Sequence, residues 1–193
     1  FKEIATLFTI HNLGYQGIFW QYDLHLLNIG WEYFTPDYLE YFGKINFLKG
    51  GIVFSDIINT VSKRYSEEIQ TEEFGDGLDG ILRTRKGDLY GIINGIDYED
   101  WNPEKDPYIP VQYNADDIKN KALCKKKLQE TFGLPAIGNI PLIATISRLA
   151  DQKGFDLIAS SLEEMLSYGT QYIVLGTGER RYHDTFTELS KKF

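Results

Sequence analysis

Two cations stand five positions apart in the run Ser147-Arg-Leu-Ala-Asp-Gln-Lys-Gly154. Arg148 and Lys153 follow a short apolar stretch, residues 141–147, which reads as a buried strand. Behind them Phe155, Leu157, Ile158, Leu162, Met165 and Leu166 recur at helical spacing. Strand, polar turn and helix make one βα unit. In open α/β sheets ligands bind beyond the carboxyl ends of the strands, where Arg148 and Lys153 are expected. Two fixed cations beside a helix start suit a phosphate or diphosphate. A solvated charged turn is the competing reading of this unit.

A second polar cluster has the same placement. Residues 4–10 read as a strand ending at His11-Asn12, after which Gly14 and Gly17 let the chain turn tightly. An imidazole there can donate to a substrate oxygen or exchange a proton near neutral pH; it can also be a structural hydrogen-bonder. Residues 88–93 read as another strand, with a turn at Asn94-Gly-Ile-Asp97. That would put Asn94 at a strand end too, although an ordinary Asn-Gly turn needs no such role. Gly75-Asp-Gly-Leu-Asp-Gly80 matches G-x-G-x-x-G, but the dinucleotide fingerprint needs a strand before it and here the preceding residues read as a helix. A mobile glycine loop is the reading. Gly176-Thr-Gly178, after a strand over 171–175, would let the backbone approach a nucleotide closely. His11, His25 and His183 are far apart and lack the carboxylate or thiolate spacing of a metal site. The sequence has no Walker A run and no nucleophile elbow.

The elements that must carry these clusters are those of a packed α/β chain. Of 193 residues, 42% are hydrophobic and 25% charged, which supports a core and argues against disorder. Twenty basic residues against 28 acidic ones give a net charge of −8. This argues against a nucleic-acid or anionic-membrane partner, so any phosphate site must be a local positive pocket. Cys124 is the only cysteine, which rules out an intrachain disulfide and fits a reducing compartment. No apolar run reaches membrane-spanning length. The first residue is not Met and no signal-peptide layout is present. The chain starts ahead of an apolar run and stops inside a helical pattern, so it reads as a piece of something longer. Aromatic residues make up 15%. Their faces stack on sugar rings, which makes carbohydrate a candidate partner, and core filling is the expected use for most of them.

Residues 19–47 are rich in aromatics without a clean period. They read as an irregular, partly helical excursion, a lid or sugar-facing wall, with a helix start at Thr35-Pro36-Asp37. A helix over 47–54, a strand over 56–61 and a helix over 63–70 capped by Ser62 make a further βα unit. The proline-spaced stretch 94–110 is the expected boundary between domains. A helix over 114–132 follows, opened by Asn114 or the next Asp residues and ended by Gly133, with Ile118, Ala122 and Leu128 on one side. Lys125-Lys126-Lys127 reads as a solvated face.

Three motifs now stand in order: Thr9-Ile-His-Asn-Leu-Gly-Tyr-Gln-Gly17, Asn94-Gly-Ile-Asp97 with Trp101-Asn-Pro103, and Ser147-Arg-Leu-Ala-Asp-Gln-Lys-Gly154. Together they resemble bacterial glycogen synthases and plant starch synthases, retaining glucosyltransferases that use a nucleoside diphosphate glucose. Phe74-Gly-Asp-Gly-Leu-Asp-Gly80 and Phe47-Leu-Lys-Gly50 look like the same family. The resemblance runs over essentially the whole chain. Gly14 departs from it, standing where Ala is usual; the expected effect is on loop flexibility more than on chemistry.

The resemblance implies an α/β chain of the GT-B fold, two Rossmann-like domains of which this chain holds the end of the first and the start of the second. The expected parts are 1–93, the acceptor-side domain; 94–110, a linker; and 111–193, the start of the nucleotide-sugar-binding domain. By the same resemblance Arg148 and Lys153 grip the donor diphosphate, His11 lies beside the transferred glucose, and Asn12 and Asn94 are cleft asparagines near that sugar. Gln152 matches a neighbour of the donor lysine. The implied enzyme is a hexosyltransferase that needs no cofactor or metal, with ADP-glucose as donor and an α-1,4-glucan as acceptor. It would sit in the cytoplasm, or in the plastid of a plant. The family's N-terminal donor loop and the segment with its catalytic glutamate are not in this sequence, so the piece alone is expected to be inactive. Other readings are a non-catalytic glucan or sugar-phosphate binding module and, among enzymes, a sucrose or trehalose-phosphate synthase. The latter are not expected to carry the His-Asn-Leu-x-Tyr-Gln-Gly run.

Overall fold

The computed structural model describes residues 4–193, which form two compact units that divide between Ile96 and Asp97. The division falls within the stretch 94–110. In chain order the first unit holds β1 (Leu7–Ile10), β2 (Ile18–Trp20), β3 (Glu40–Tyr41), β4 (Lys44–Asn46), α1 (Phe47–Phe54), β5 (Ile57–Thr60), α2 (Lys63–Glu68), α3 (Asp79–Thr84) and β6 (Leu89–Gly91). The second holds α4 (Lys121–Thr131), β7 (Leu142–Ile146), α5 (Phe155–Ser167), β8 (Gln171–Leu175) and α6 (Arg180–Lys192).

In the first unit β1, β5 and β6 form a parallel sheet in that order. Their last residues are level: Ile10 pairs with Thr60, and Thr60 with Gly91. The polar residues that follow β1 and β6 therefore leave the sheet from one edge. Ile10, Ile58 and Leu89 pack with Leu48, Ile52, Ile69, Leu78 and Leu82 in the core. Each such side chain contributes about 1.5–3 kcal/mol by leaving water. Leu13, fully buried in the same core, belongs to the loop after β1 and ties that loop to the sheet.

Several elements differ from the sequence reading. The first strand starts at Leu7, not at residue 4. The aromatic stretch contains an antiparallel sheet, β2-β4-β3, which its irregular pattern hid. Thr35-Pro36-Asp37 starts no helix. The Thr35 carbonyl accepts from the N–H groups of Tyr38 and Glu40 at 2.9 and 3.1 Å, turning the chain into β3. The buried ammonium of Lys49 donates to the Pro36 and Glu40 carbonyls and holds that turn. The aromatics are not mainly core: Trp20, Trp31 and Trp101 are all more than half exposed, and only Phe155 and Tyr182 among the described aromatics are buried. Aliphatic residues fill the first core instead.

At Asn94-Gly-Ile-Asp97 there is no turn; the chain turns only at residues 98–100. The fourth helix begins at Lys121 rather than near 114. The Asn114 carboxamide accepts from the N–H groups of Asp116 and Asp117 at 3.1 and 2.7 Å, a local turn that competes with helix formation. Gly133, at φ 66°, does end that helix. Lys125 is not a solvated lysine: its ammonium donates to the carbonyls of Gly138 (2.9 Å) and Ile140, fixing the loop into β7. The strand after that loop is half-exposed, because β8 is its single partner among the described residues. The core of the second unit gathers Leu149 from the turn after β7 and Val174 of β8 with Phe155, Ile158, Tyr182 and Phe186 of α5 and α6.

Candidate functional site

The loop after β1 is built to leave His11 outside its own hydrogen bonding. The Leu13 N–H donates to the Tyr65 hydroxyl (2.9 Å), and the Gly14 N–H to the Asn12 side-chain oxygen (2.9 Å). The carbonyls of Gln16 and Gly17 accept from the N–H groups of Leu48 and Phe47 at 3.0 and 3.1 Å. Beneath them Gln16 joins three segments. Its side-chain oxygen accepts from the Asn46 amide at 2.6 Å, and its own amide donates to the Asp76 carbonyl at 2.9 Å. Asn46 is fully buried and caps α1 by accepting from the Lys49 N–H at 2.9 Å. The glycine segment 75–80 is thus fastened to the histidine loop.

That segment also explains one glycine. Gly77 has φ 77°, and a Cβ on it would lie 2.2 Å from the Tyr41 hydroxyl oxygen. The missing side chain is what lets that hydroxyl donate to the Asp76 carbonyl at 3.0 Å. Burial, then the charges of Asp76 and Asp79, raise the pKa of the Tyr41 phenol. Helix α3 starts at Asp79, inside the glycine segment, while residues 71–78 before it are turns and no strand.

His11, Asn12 and Asn94 are exposed. His11 lies one residue beyond β1 and Asn94 three beyond β6, so both leave the same edge of the parallel sheet. Asn12 spends its side-chain oxygen on the turn. His11 and Asn94 make no side-chain hydrogen bond among the described residues.

In the second unit Arg148 lies two residues beyond β7, and Gln152 and Lys153 complete a single 3₁₀ turn, Asp151–Lys153. Gly154, at φ 70°, passes the chain into α5. All three side chains are exposed and none is hydrogen-bonded or ion-paired among the described residues. The turn is fixed by other groups. Leu149 is buried, its N–H donates to the Thr177 carbonyl at 2.9 Å, and its carbonyl accepts from the Glu179 N–H at 2.8 Å. A Cβ on Gly178 would lie 2.3 Å from the Leu149 oxygen, so this glycine serves a close backbone approach between the exits of β7 and β8.

Asp151 is the remaining anchor, and sequence reading missed its partners. Both its carboxylate oxygens accept from Arg181 at 2.6 Å, and the Tyr182 hydroxyl donates to one of them. These bonds, Tyr182 first and Arg181 second, hold the Asp151 carboxyl below the usual carboxylate range. In return the Tyr182 phenol is pushed up to about 12, first by its bond to Asp151 and then by burial. Arg181 and Tyr182 stand thirty positions down the chain, where no local pattern points back to Asp151. The arrangement leaves two exposed, unpaired cations among the described residues on a strand-end turn held by other groups, suited to an anion. No group of three or more metal-ligating side chains occurs among the described residues.

A family model described as the starch synthase catalytic domain matches residues 1–84. Glycogen synthase of Thermosipho africanus is 48% identical over 193 residues, all of this chain and 40% of that protein. For glycogen synthase of Thermotoga maritima the identity is 49%, with the same coverage. The chain resembles bacterial glycogen synthases and plant starch synthases throughout. It is also similar to the solved catalytic domain of starch synthase IV from Arabidopsis thaliana bound to ADP and acarbose. There the TM-score is 0.91 and the identity 34%, over 98% of this chain and 40% of that one. The chain thus spans about 40% of the length of these relatives. Over that part its α/β fold is that of the starch synthase GT-B catalytic domain. No helix is long and apolar enough to cross a membrane among the described residues.

Proposed function

We propose that the protein containing this chain is a glycogen or starch synthase, a retaining hexosyltransferase that moves glucose from ADP-glucose to the non-reducing end of an α-1,4-glucan. One observation carries the reading: in a sequence 48% identical to a glycogen synthase, His11, Asn94 and Arg148–Lys153 each follow a parallel strand. The ADP and acarbose of the Arabidopsis neighbour support a nucleotide-sugar donor and an α-glucan acceptor.

In this reading Arg148 and Lys153 hold the donor diphosphate. As the bond from the anomeric carbon to the diphosphate breaks, negative charge grows on phosphate oxygen, and the two cations stabilise it. His11 and Asn94 hold hydroxyls of the glucose while its ring passes through a cation-like state. Asn12 and Gln152 are substrate neighbours. Cys124, the single thiol, agrees with work in a reducing compartment, the cytoplasm or a plastid.

The test uses the longest reading frame that contains these 193 residues. Arg148→Ala and Lys153→Ala should each lower kcat by roughly 10²-fold or more, with a much smaller change in glucan affinity. Unchanged kcat refutes the assignment. Loss of affinity alone would mark a non-catalytic glucan or sugar-phosphate binding module.

A further inference from the structure

The hairpin joining β3 to β4 turns through Phe42 and Gly43, at φ 49° and 76°. Two left-handed central residues make a type I′ turn, where Asn-Gly or Asp-Gly is usual. A bulky side chain in that conformation is strained. Phe42 is also 84% exposed, and its one close aromatic neighbour is the edge of Tyr41 at 4.7 Å. The ring therefore adds strain to the turn and almost nothing to the core. Strain kept without a packing return points to use by a ligand.

Phe42 borders a cavity of about 630 Å³ that Asp37, Glu40, Tyr41, Lys49 and Arg85 also line, within the size range of small-molecule sites. The charges of that lining are unequal in what they can offer. Arg85 uses all its donors on the carbonyls of Ile52, Val53, Ser55 and Asp56 and on the Asp88 carboxylate. Lys49 is buried and holds the carbonyls of Pro36 and Glu40. The carboxylates are open by contrast. Asp37 has no partner among the described residues, and Glu40 gives one oxygen to the Gly43 N–H at 2.7 Å and keeps the other.

The cavity thus presents acceptors, an aromatic face and the apolar side chains of Val53, Leu78 and Ile81, with Arg85 fully used and Lys49 committed to two carbonyls. A phosphate or carboxylate ligand would meet two carboxylates. A purely apolar ligand would strip water from them. A pyranose matches both features, bringing hydroxyl donors on its rim and C–H groups on its face. We propose that this cavity docks a neutral oligosaccharide, one ring resting on Phe42 and its hydroxyls donating to Asp37 and Glu40. None of the strand-end residues His11, Asn94, Arg148 or Lys153 takes part, so the site stands apart from the transferase reading.

Phe42→Asn is the decisive variant. Asn is at ease at positive φ, so the hairpin should keep or raise its thermal midpoint while the ring is lost. Maltoheptaose and cellohexaose, tested separately by calorimetry, distinguish α- from β-linked glucans. At least one should bind, about tenfold more weakly to Phe42→Asn, as expected for one lost stacking contact. Phe42→Tyr should bind like the parent, and the bound sugar should slow hydrogen exchange in residues 36–46. Equal affinity of Phe42→Asn and the parent overturns the proposal, and so does failure of both sugars to bind. Sugar binding that depends on Phe42 in a protein without transferase activity would sink the transferase reading alone.

Discussion

Gln16 is the side chain whose removal should disturb the first unit most for its size. Gln16→Leu keeps the volume but deletes two hydrogen bonds. The Asp76 carbonyl retains the Tyr41 hydroxyl, so losing the Gln16 donor there costs about 1 kcal/mol. The Asn46 amide fares worse. It is fully buried and has Gln16 as its acceptor, so it becomes an orphaned donor at about 1–3 kcal/mol. The extra apolar surface of leucine returns about 1 kcal/mol. The net expectation is about 2 kcal/mol, or roughly 30-fold faster hydrogen exchange through local opening. The segments to follow are residues 11–17 and 46–49, with α5 as an internal reference that should not change. Exchange within about twofold of the parent in both segments would refute the claim that this pair fastens the loops.

Tyr182 supplies a pH test. Its raised phenol pKa means that its bond to Asp151 is fully present below pH 10 and is lost as pH rises toward about 12. The tyrosinate band of the parent should show late-titrating phenols, Tyr41 and Tyr182 among them, and Asp151→Ala should return Tyr182 alone toward 10. The Asp151 carboxyl has the opposite sign: its depressed pKa makes its contribution present above 3.8 and lost as pH falls below that value. Order in the 3₁₀ turn, followed by exchange at residues 148–154, should therefore decline in acid. Two glycines should behave differently. Gly77→Ala places a methyl at φ 77° and 2.2 Å from the Tyr41 hydroxyl, and should destabilise the first unit by about 2 kcal/mol in urea unfolding. Gly14→Ala meets Asn12 Oδ1 at 3.3 Å without a left-handed φ, and should stay within about 0.5 kcal/mol of the parent.

The strand-end positions of His11 and Arg148 were legible because strand, polar turn and helix differ in period over a few residues. Ser62 was legible as a cap for the same local reason: its hydroxyl accepts from the Tyr65 N–H at 2.9 Å. The antiparallel sheet was not, since strands of two and three residues carry no measurable alternation. Asn114 misled because a good capping residue can also close a turn of its own. The long-range anchors stayed hidden. Gln16 stood inside a motif with no role assigned, and the grip of Arg181 and Tyr182 on Asp151 depends on a helix packing across thirty residues. Trp20 and Trp31 misled through composition, since a large apolar ring in a sequence does not say which side of the molecule it faces.

The side chains of His11, Arg148 and Lys153 carry none of the bonds that shape their own turns. Leu13, Tyr65 and Gln16 do that for one, and Leu149, Arg181 and Tyr182 for the other. Scaffold and strand-end polar groups can accordingly vary independently. Replacing all three polar side chains should therefore leave a chain that still folds, with its thermal midpoint close to that of the parent. The same decoupling lets a lineage change the side chains at these ends without first re-engineering the strands that present them.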